Sequence, residues 1–175
     1  MRDYDVKQFD KHEVVLFNSH SRSGSVVLSN FYPCTLTVDN VQFGSSEQLF
    51  QYLCFEGNDK VQEKILKAAT PLAVKRLAKY YAPSCTITGD AQIPIMEFCL
   101  NLKNEQCPEF RQYLDAHPND YFVEYAPWGD TMWGMTDTDS DLKNVWRFGE
   151  VYGRNVVGTI IGDIRDSNKQ QPPML

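Results

Sequence analysis

Leu28 to Gly57 reads LSNFYPCTLTVDNVQFGSSEQLFQYLCFEG and carries the strongest local structural signals in the chain. Its second half is a helix start. Ser45 can cap it, and Gln48, three residues on, completes a capping box. Leu49, Phe50 and Leu53 supply an apolar stripe, and Gly57 is a natural stop. Ahead of it, Leu36 to Val38 and Val41 to Phe43 read as two short strands around Asp39-Asn40, a tight hairpin. Glu47 then falls in the first helical turn, where the helix dipole and unpaired N–H groups favour a carboxylate. Gln51 follows one turn later on the same face. By itself this pattern also fits an ordinary helix N-terminus.

Working outward, residues 1–13 are a polar lead-in, with acids among the bases and no apolar run of the kind a secretory signal carries. Val14 to Phe17 is a strand candidate, Asn18 to Ser25 a polar loop with His20 and Arg22, and Val26 to Leu28 a resumed strand. Asp59 to Ala69 reads as a helix with Val61, Ile65, Leu66 and Ala69 inward. Thr70-Pro71 caps and opens another helix, to about Tyr81, whose Lys75, Arg76 and Lys79 read as a solvated face. Ile93 to Lys103 is a helix with Ile95, Met96, Phe98 and Leu102 as core candidates, and Glu109 to Ala116 a shorter one. Tyr121 to Tyr125 is a strand. Ala126 to Arg154 lacks periodicity, yet Trp128, Trp133 and Trp146 argue that it packs, because such rings are costly to leave wet. Asn155 to Arg165 is an apolar helix in which Gly158 and Gly162 would permit close approach, and residues 166–175 are a polar tail. The chain therefore reads as one α+β domain, mostly helical with a few short strands, spanning residues 14–165.

A chain of 175 residues can bury a substantial core. The net charge of −6 argues against a dedicated duplex-DNA binder, without excluding a local pocket for one diphosphate. No segment approaches the length of a membrane helix. Five cysteines, an odd number with no C-x-x-C pair, argue against a disulfide framework and a zinc site and for a reducing, cytoplasmic compartment. The run DTDSD, with Asp137, Asp139 and Asp141, resembles the start of a calcium loop, but Leu142 and Phe148 stand where that loop needs glycine and glutamate. Neither a nucleophile elbow nor a phosphate-cradling glycine loop is present, and His12, His20 and His117 lack metal-ligand spacing. What remains is a set of carboxylates among aromatics: Glu47, Glu124 and Asp130 with Tyr125, Trp128 and Trp133. Glycoside cleavage uses such a set. One carboxylate stabilises an oxocarbenium-like centre or activates water, and aromatic faces hold a base or ribose.

LSNFYPC, the hairpin and SSEQLFQ, followed by WGDTMWG and GRNVVGTIIGDIR, resemble in order the motifs of the NADAR family, the YbiA-like N-glycosidases. The resemblance covers about Val14 to Arg165. It implies Glu47 and Asp130 as catalytic residues. It implies Asn30, Phe31, Gln51, Trp133, Gly134 and Asn155 as substrate-binding, with Glu124 beside them and Arg22 as a phosphate partner. No metal or other cofactor is implied. Two departures stand out: Cys54 occupies a position where relatives commonly have lysine, and WGMT replaces a WGDG-like string.

The resemblance implies hydrolysis of a bond between a ribose carbon and an amino nitrogen. The first substrate to expect is ADP-ribose on the guanine amino group of nucleic acid or nucleotide. Phosphorylated ribosylamino-pyrimidines of riboflavin synthesis are the alternative. An ADP-ribose-binding module without turnover and a plain interaction domain are rival readings from other classes. On the leading reading the distal ribose points at Glu47 and Asp130, between the SNF loop and the WG box.

Overall fold

The hairpin around Asp39-Asn40 is the most local feature of the fold. In the computed structural model, which describes residues 14–137, 151–170 and the backbone of 146–148, β2 (Leu36–Val38) and β3 (Val41–Phe43) pair antiparallel. Leu36 lies opposite Phe43 and Val38 opposite Val41. Asp39 and Asn40 take φ of 48° and 64°, the two left-handed positions that a tight primed turn requires and that Asp and Asn tolerate best. The fold is α+β, helical for the most part, with six α-helices and six short strands among the described residues, the fifth helix, α5, being Pro108–Ala116. The chain divides into two compact units, residues 30–111 and residues 1–29 with 112–175.

In the first unit, α1 (Ser46–Cys54) packs against α2 (Asp59–Lys67), α3 (Pro71–Tyr81) and α4 (Ile93–Gln106). Ser45 caps α1 as the sequence predicts, its Oγ accepting from the Gln48 N–H at 3.2 Å. The reciprocal half of the capping box closes elsewhere. Gln48 Oε1 accepts from the Gly44 N–H at 2.7 Å rather than from Ser45, because Nε2 of the same amide reaches over to the Ile65 carbonyl at 3.0 Å. Gln48 therefore clamps α1 to the end of α2. Asn58 and Thr70 cap α2 and α3 through their side chains. Phe55, Val61, Ile65, Val74 and Ala78 form one core cluster, each large side chain worth roughly 1.5–3 kcal/mol on burial. Leu66 is only half-buried and Ala69 is exposed, so α2 turns a narrower face inward than its sequence predicts.

α4 differs more. Its buried face is Met96, Cys99, Leu100 and Lys103, a helical i, i+3, i+4, i+7 set, whereas Ile95 and Leu102 are half-buried and Phe98 is 45% exposed. Lys103 is 0% exposed. Its ammonium sits 4.9 Å from the Phe110 ring centroid and 5.7 Å from that of Tyr32. Nearby, the Cys34 thiol hydrogen-bonds to the Cys107 sulfur, which also receives the Phe110 N–H. The Cys34 bond first, then the Phe110 N–H and the Lys103 charge, hold Cys107 down at about 7, against burial and the bond its thiol donates to Glu109 Oε2 at 3.6 Å. The Cys34–Cys107 bond and burial push Cys34 up. All five cysteines are free thiols.

In the second unit, β1 (Val14–Phe17) pairs parallel with β4 (Tyr121–Glu124), Val14 opposite Tyr121 and Phe17 opposite Glu124. α6 (Val156–Asn168) packs on β4 with Val157, Ile160, Ile161 and Ile164 buried. Gly158 allows this approach, because a Cβ there would collide with the Phe122 carbonyl oxygen; Gly162 faces open space and has no such role. The Arg165 guanidinium lies 5.4 Å from the Phe122 ring centroid and donates to the Asp120 carbonyl. α6 runs past the expected boundary, and Asn168 is buried, so the start of the anticipated tail belongs to the helix.

Two further expectations are corrected. Gly24 to Leu28 is a 3-10 helix, not a strand: the Val26 N–H bonds to the Ser23 carbonyl and the Ser29 N–H to that of Val26. Three apolar residues are too few to distinguish the two states by period. The Ala126 to Arg154 segment is also not featureless. β5 (Trp146–Phe148) and β6 (Val151–Gly153) pair antiparallel, and isolated bridges join Tyr125 to Met135 and Thr136 to Tyr152. Trp128 is 51% exposed, contrary to the expectation that its ring packs away from water. Asp139, Asp141 and Leu142 of the calcium-like run lie outside the described residues; Asp137 is exposed and accepts from the Tyr125 hydroxyl at 3.0 Å.

Candidate active site

Glu47 enters the first turn of α1 and is 6% exposed. Its N–H donates to the Asn30 carbonyl at 3.0 Å, and its Oε1 accepts from Gln51 Nε2 at 3.0 Å. The i, i+4 spacing read from the sequence thus becomes a direct bond that fixes the carboxylate. Asn30, also 6% exposed, is held from two sides: Ser46 Oγ donates to its Oδ1 at 2.9 Å, and its Nδ2 donates to the Met96 thioether at 3.4 Å. A thioether is a weak acceptor, so Asn30 keeps a donor that a better acceptor could claim. Phe31 follows, half-buried, with the Lys75 ammonium 5.7 Å from its ring centroid. Asn30, Phe31, Glu47 and Gln51 therefore form one local group. Ser46 and Met96 are members that the sequence reading missed. The doubled serine of GSSE was the available signal for Ser46, since one serine suffices to cap a helix.

Cys54 lies two turns after Glu47 and is 1% exposed. Burial first, then the thiol of Cys85 and the charge of Glu47, push it up to about 12. Cys99 is raised by burial, with Cys54 and Glu47 adding to it. Cys54 is thus a neutral thiol within electrostatic reach of Glu47. A thiolate nucleophile at Cys54 is disfavoured near neutral pH.

The other expected residues lie in the second unit. Asp130 Oδ1 accepts from the N–H groups of Met132 and Trp133, at 3.0 and 2.9 Å, and so shapes the turn. That turn in turn caps α6. The carbonyls of Met132 and Trp133 accept from the N–H groups of Val156 and Val157, at 3.1 and 3.0 Å, satisfying donors that a helix start leaves open. Gly134 is buried where a Cβ would strike the Glu124 carbonyl oxygen. Asn155 adopts φ of 50° and spends both ends of its amide on β4, accepting from the Glu124 N–H at 3.1 Å and donating to the Phe122 carbonyl at 2.9 Å. Its side chain acts as a strand-pairing group. Glu124 is half-buried with Oε2 shut away from solvent, Trp133 is half-buried, and Arg22 is exposed in its loop.

A family model describing the NADAR domain matches residues 16–167. The chain belongs to the NADAR family. A riboflavin biosynthesis protein of Vibrio vulnificus is 26% identical over 171 residues, covering 97% of this chain. The chain spans 42% of that relative's length. The solution structure of the Escherichia coli protein YbiA matches with a TM-score of 0.69 at 23% identity, covering 94% of this chain and 95% of that one. At that identity the likeness is one of fold alone. No helix among the described residues is long and apolar enough to cross a membrane.

Proposed function

We propose that this NADAR protein is an N-glycosidase that hydrolyses the bond between a ribose carbon and an amino nitrogen, with ADP-ribosyl-guanine as its substrate. The observation that carries the reading is Glu47: a carboxylate almost wholly withdrawn from water, at a helix start, with one oxygen fixed by Gln51. In glycosylamine hydrolysis such a group stabilises the developing cationic centre or takes a proton from the attacking water. Asn30 offers an amide for ribose or phosphate oxygen, and the Phe31 ring offers a face beside the Lys75 charge. Asp130, Trp133 and Gly134 enter this reading through the family motif, with Asp130 acting at least as the residue that sets the WG turn.

A second substrate class is favoured by the Vibrio relative, whose name places it in riboflavin biosynthesis. Phosphorylated ribosylamino-pyrimidines carry the same type of C–N bond, and the same carboxylate would serve. The neutral thiol at Cys54 favours the third reading, a pocket that binds without cleaving. One experiment separates the three. ADP-ribosylated guanine DNA and a ribosylamino-pyrimidine phosphate are each incubated with the protein and analysed by chromatography. Release of ADP-ribose from the first supports the proposal. Cleavage of the second alone moves the assignment to riboflavin intermediates. A rise in melting temperature with ADP-ribose and no product from either supports binding alone.

A further inference from the structure

The exposed face of α3 carries a pattern that the core does not use and that meets the candidate site only where Lys75 lies over Phe31. Leu72, Lys75, Arg76, Lys79 and Tyr80 recur at i, i+3, i+4, i+7 and i+8, and all five are exposed, Tyr80 at 77%. The opposite face supplies Val74 and Ala78 to the core. No acid occurs anywhere in α3. In α2, by contrast, Lys67 is ion-paired to Glu63 within its own helix. Residues 59–79 hold six cations and two carboxylates in a chain whose net charge is −6. A solvated helix face would ordinarily interleave both signs, as α2 does. The stripe also leads to the candidate site: Lys75 at its near end lies over Phe31, beside Asn30. At its far end Tyr80, braced edge-on by Tyr81 at 4.8 Å between centroids, presents a ring to solvent.

We infer that this face of α3 is a track for the phosphate backbone of single-stranded nucleic acid, so that the guanine to be repaired is presented on a polymer. The inference rests on the proposed substrate reading for its purpose but not for its observations. Cations spaced along one line match phosphates, and an exposed aromatic ring stacks a base without regard to sequence, the combination by which single strands are held. The overall negative charge does not oppose this at short range, because fields are screened beyond about 8 Å at physiological salt.

The test is fluorescence anisotropy with an unmodified, labelled single-stranded oligodeoxynucleotide, titrated at several salt concentrations. Three phosphate contacts predict that log K falls with log salt at a slope of about 2, since each contributes roughly 0.7 on a single strand. Arg76→Glu combined with Lys79→Glu should weaken binding on the order of tenfold or more and flatten the slope. Tyr80→Ala should weaken it about fivefold, with the slope kept. Lys169→Glu, at an exposed lysine just past the end of α6 that pairs with Asp166, should change neither. All these positions are exposed, and a melting curve confirms that each variant is folded. With an ADP-ribosylated mononucleotide the Arg76/Lys79 variant should turn over as the native chain does, whereas with an ADP-ribosylated oligonucleotide its KM should rise. Absence of oligonucleotide binding by the native chain, equal affinity in the Arg76/Lys79 variant, or equal affinity for duplex overturns the track. Charge-dependent oligonucleotide binding without any glycosidase product leaves the track standing and removes the substrate reading.

Discussion

Ser46 Oγ donates to Asn30 Oδ1 at 2.9 Å, joining residues sixteen positions apart across the hairpin of β2 and β3. The same hydroxyl lies 3.2 Å from the Asn30 carbonyl, which also accepts from the Glu47 N–H. The SNF loop and the start of α1 are therefore one rigid corner, and the carboxylate of Glu47 inherits its position from that corner.

Asn30→Ala should destabilise the protein by about 1–3 kcal/mol, because the buried Ser46 hydroxyl loses a partner, and should also weaken ligand binding. Ser46→Ala should destabilise by less, since the Glu47 N–H still holds the Asn30 carbonyl. Urea unfolding of both variants measures the difference. Equal and negligible effects would reduce the corner to an incidental contact.

Glu47→Gln should keep the fold and lose turnover by on the order of 10²–10⁴, the usual contribution of a positioned acid or base. The amide oxygen still accepts from Gln51, so unfolding should shift little. Gln51→Leu should lower turnover less than this, because the carboxylate stays but loses its orientation. A Glu47→Gln variant with native turnover ends the assignment.

Gly158→Ala and Gly162→Ala lie one turn apart on α6 and should behave in opposite ways. At Gly158 the new methyl meets the Phe122 carbonyl oxygen and the Asn155 amide, and forcing α6 away from β4 should cost about 1–3 kcal/mol. At Gly162 it meets nothing, and higher helix propensity should stabilise by up to about 1 kcal/mol. Thermal melts of the two variants suffice, and a shared sign would contradict the packing of α6 on β4.

The Cys34–Cys107 pair predicts a pH dependence. In the folded chain Cys107 loses its proton near 7, held down by the Cys34 hydrogen bond, while unfolded cysteines titrate at about 8.5. Between those values the unfolded state binds more protons, so stability should rise with pH through that window. Above it the trend should reverse, because Cys34 is held protonated in the fold. Cys107→Ser should flatten the rise and remove the thiolate ultraviolet band that grows in near neutrality. A native chain with no such band below pH 8 would contradict the pairing.

Local chemistry was enough to read the hairpin, the caps of α1 and α3, and the order of the helices, whereas the Asn58 cap of α2 was not read. A left-handed Asp-Asn turn, a serine before a helix and a threonine before proline act through neighbours a few residues away. The juxtaposition of Glu47 with Gln51 was legible for the same reason, as one turn of helix. The α4 face was not. IPIMEFCLNLK is apolar around much of its circumference, so its period does not choose a side. Packing chose the side bearing Cys99 and Lys103, where two rings receive the buried ammonium. The use of Asn155 on the β4 backbone, the capping of α6 by the WG turn, and the opposite environments of Gly158 and Gly162 were equally hidden. Each depends on which distant carbonyl comes to lie against a helix end or face. Most elements, and the residues that begin α1 and α3, were legible in the order of amino acids; the surfaces those ends meet were set by packing, because hydrogen bonds and contacts between remote segments leave no periodic trace in the chain that forms them.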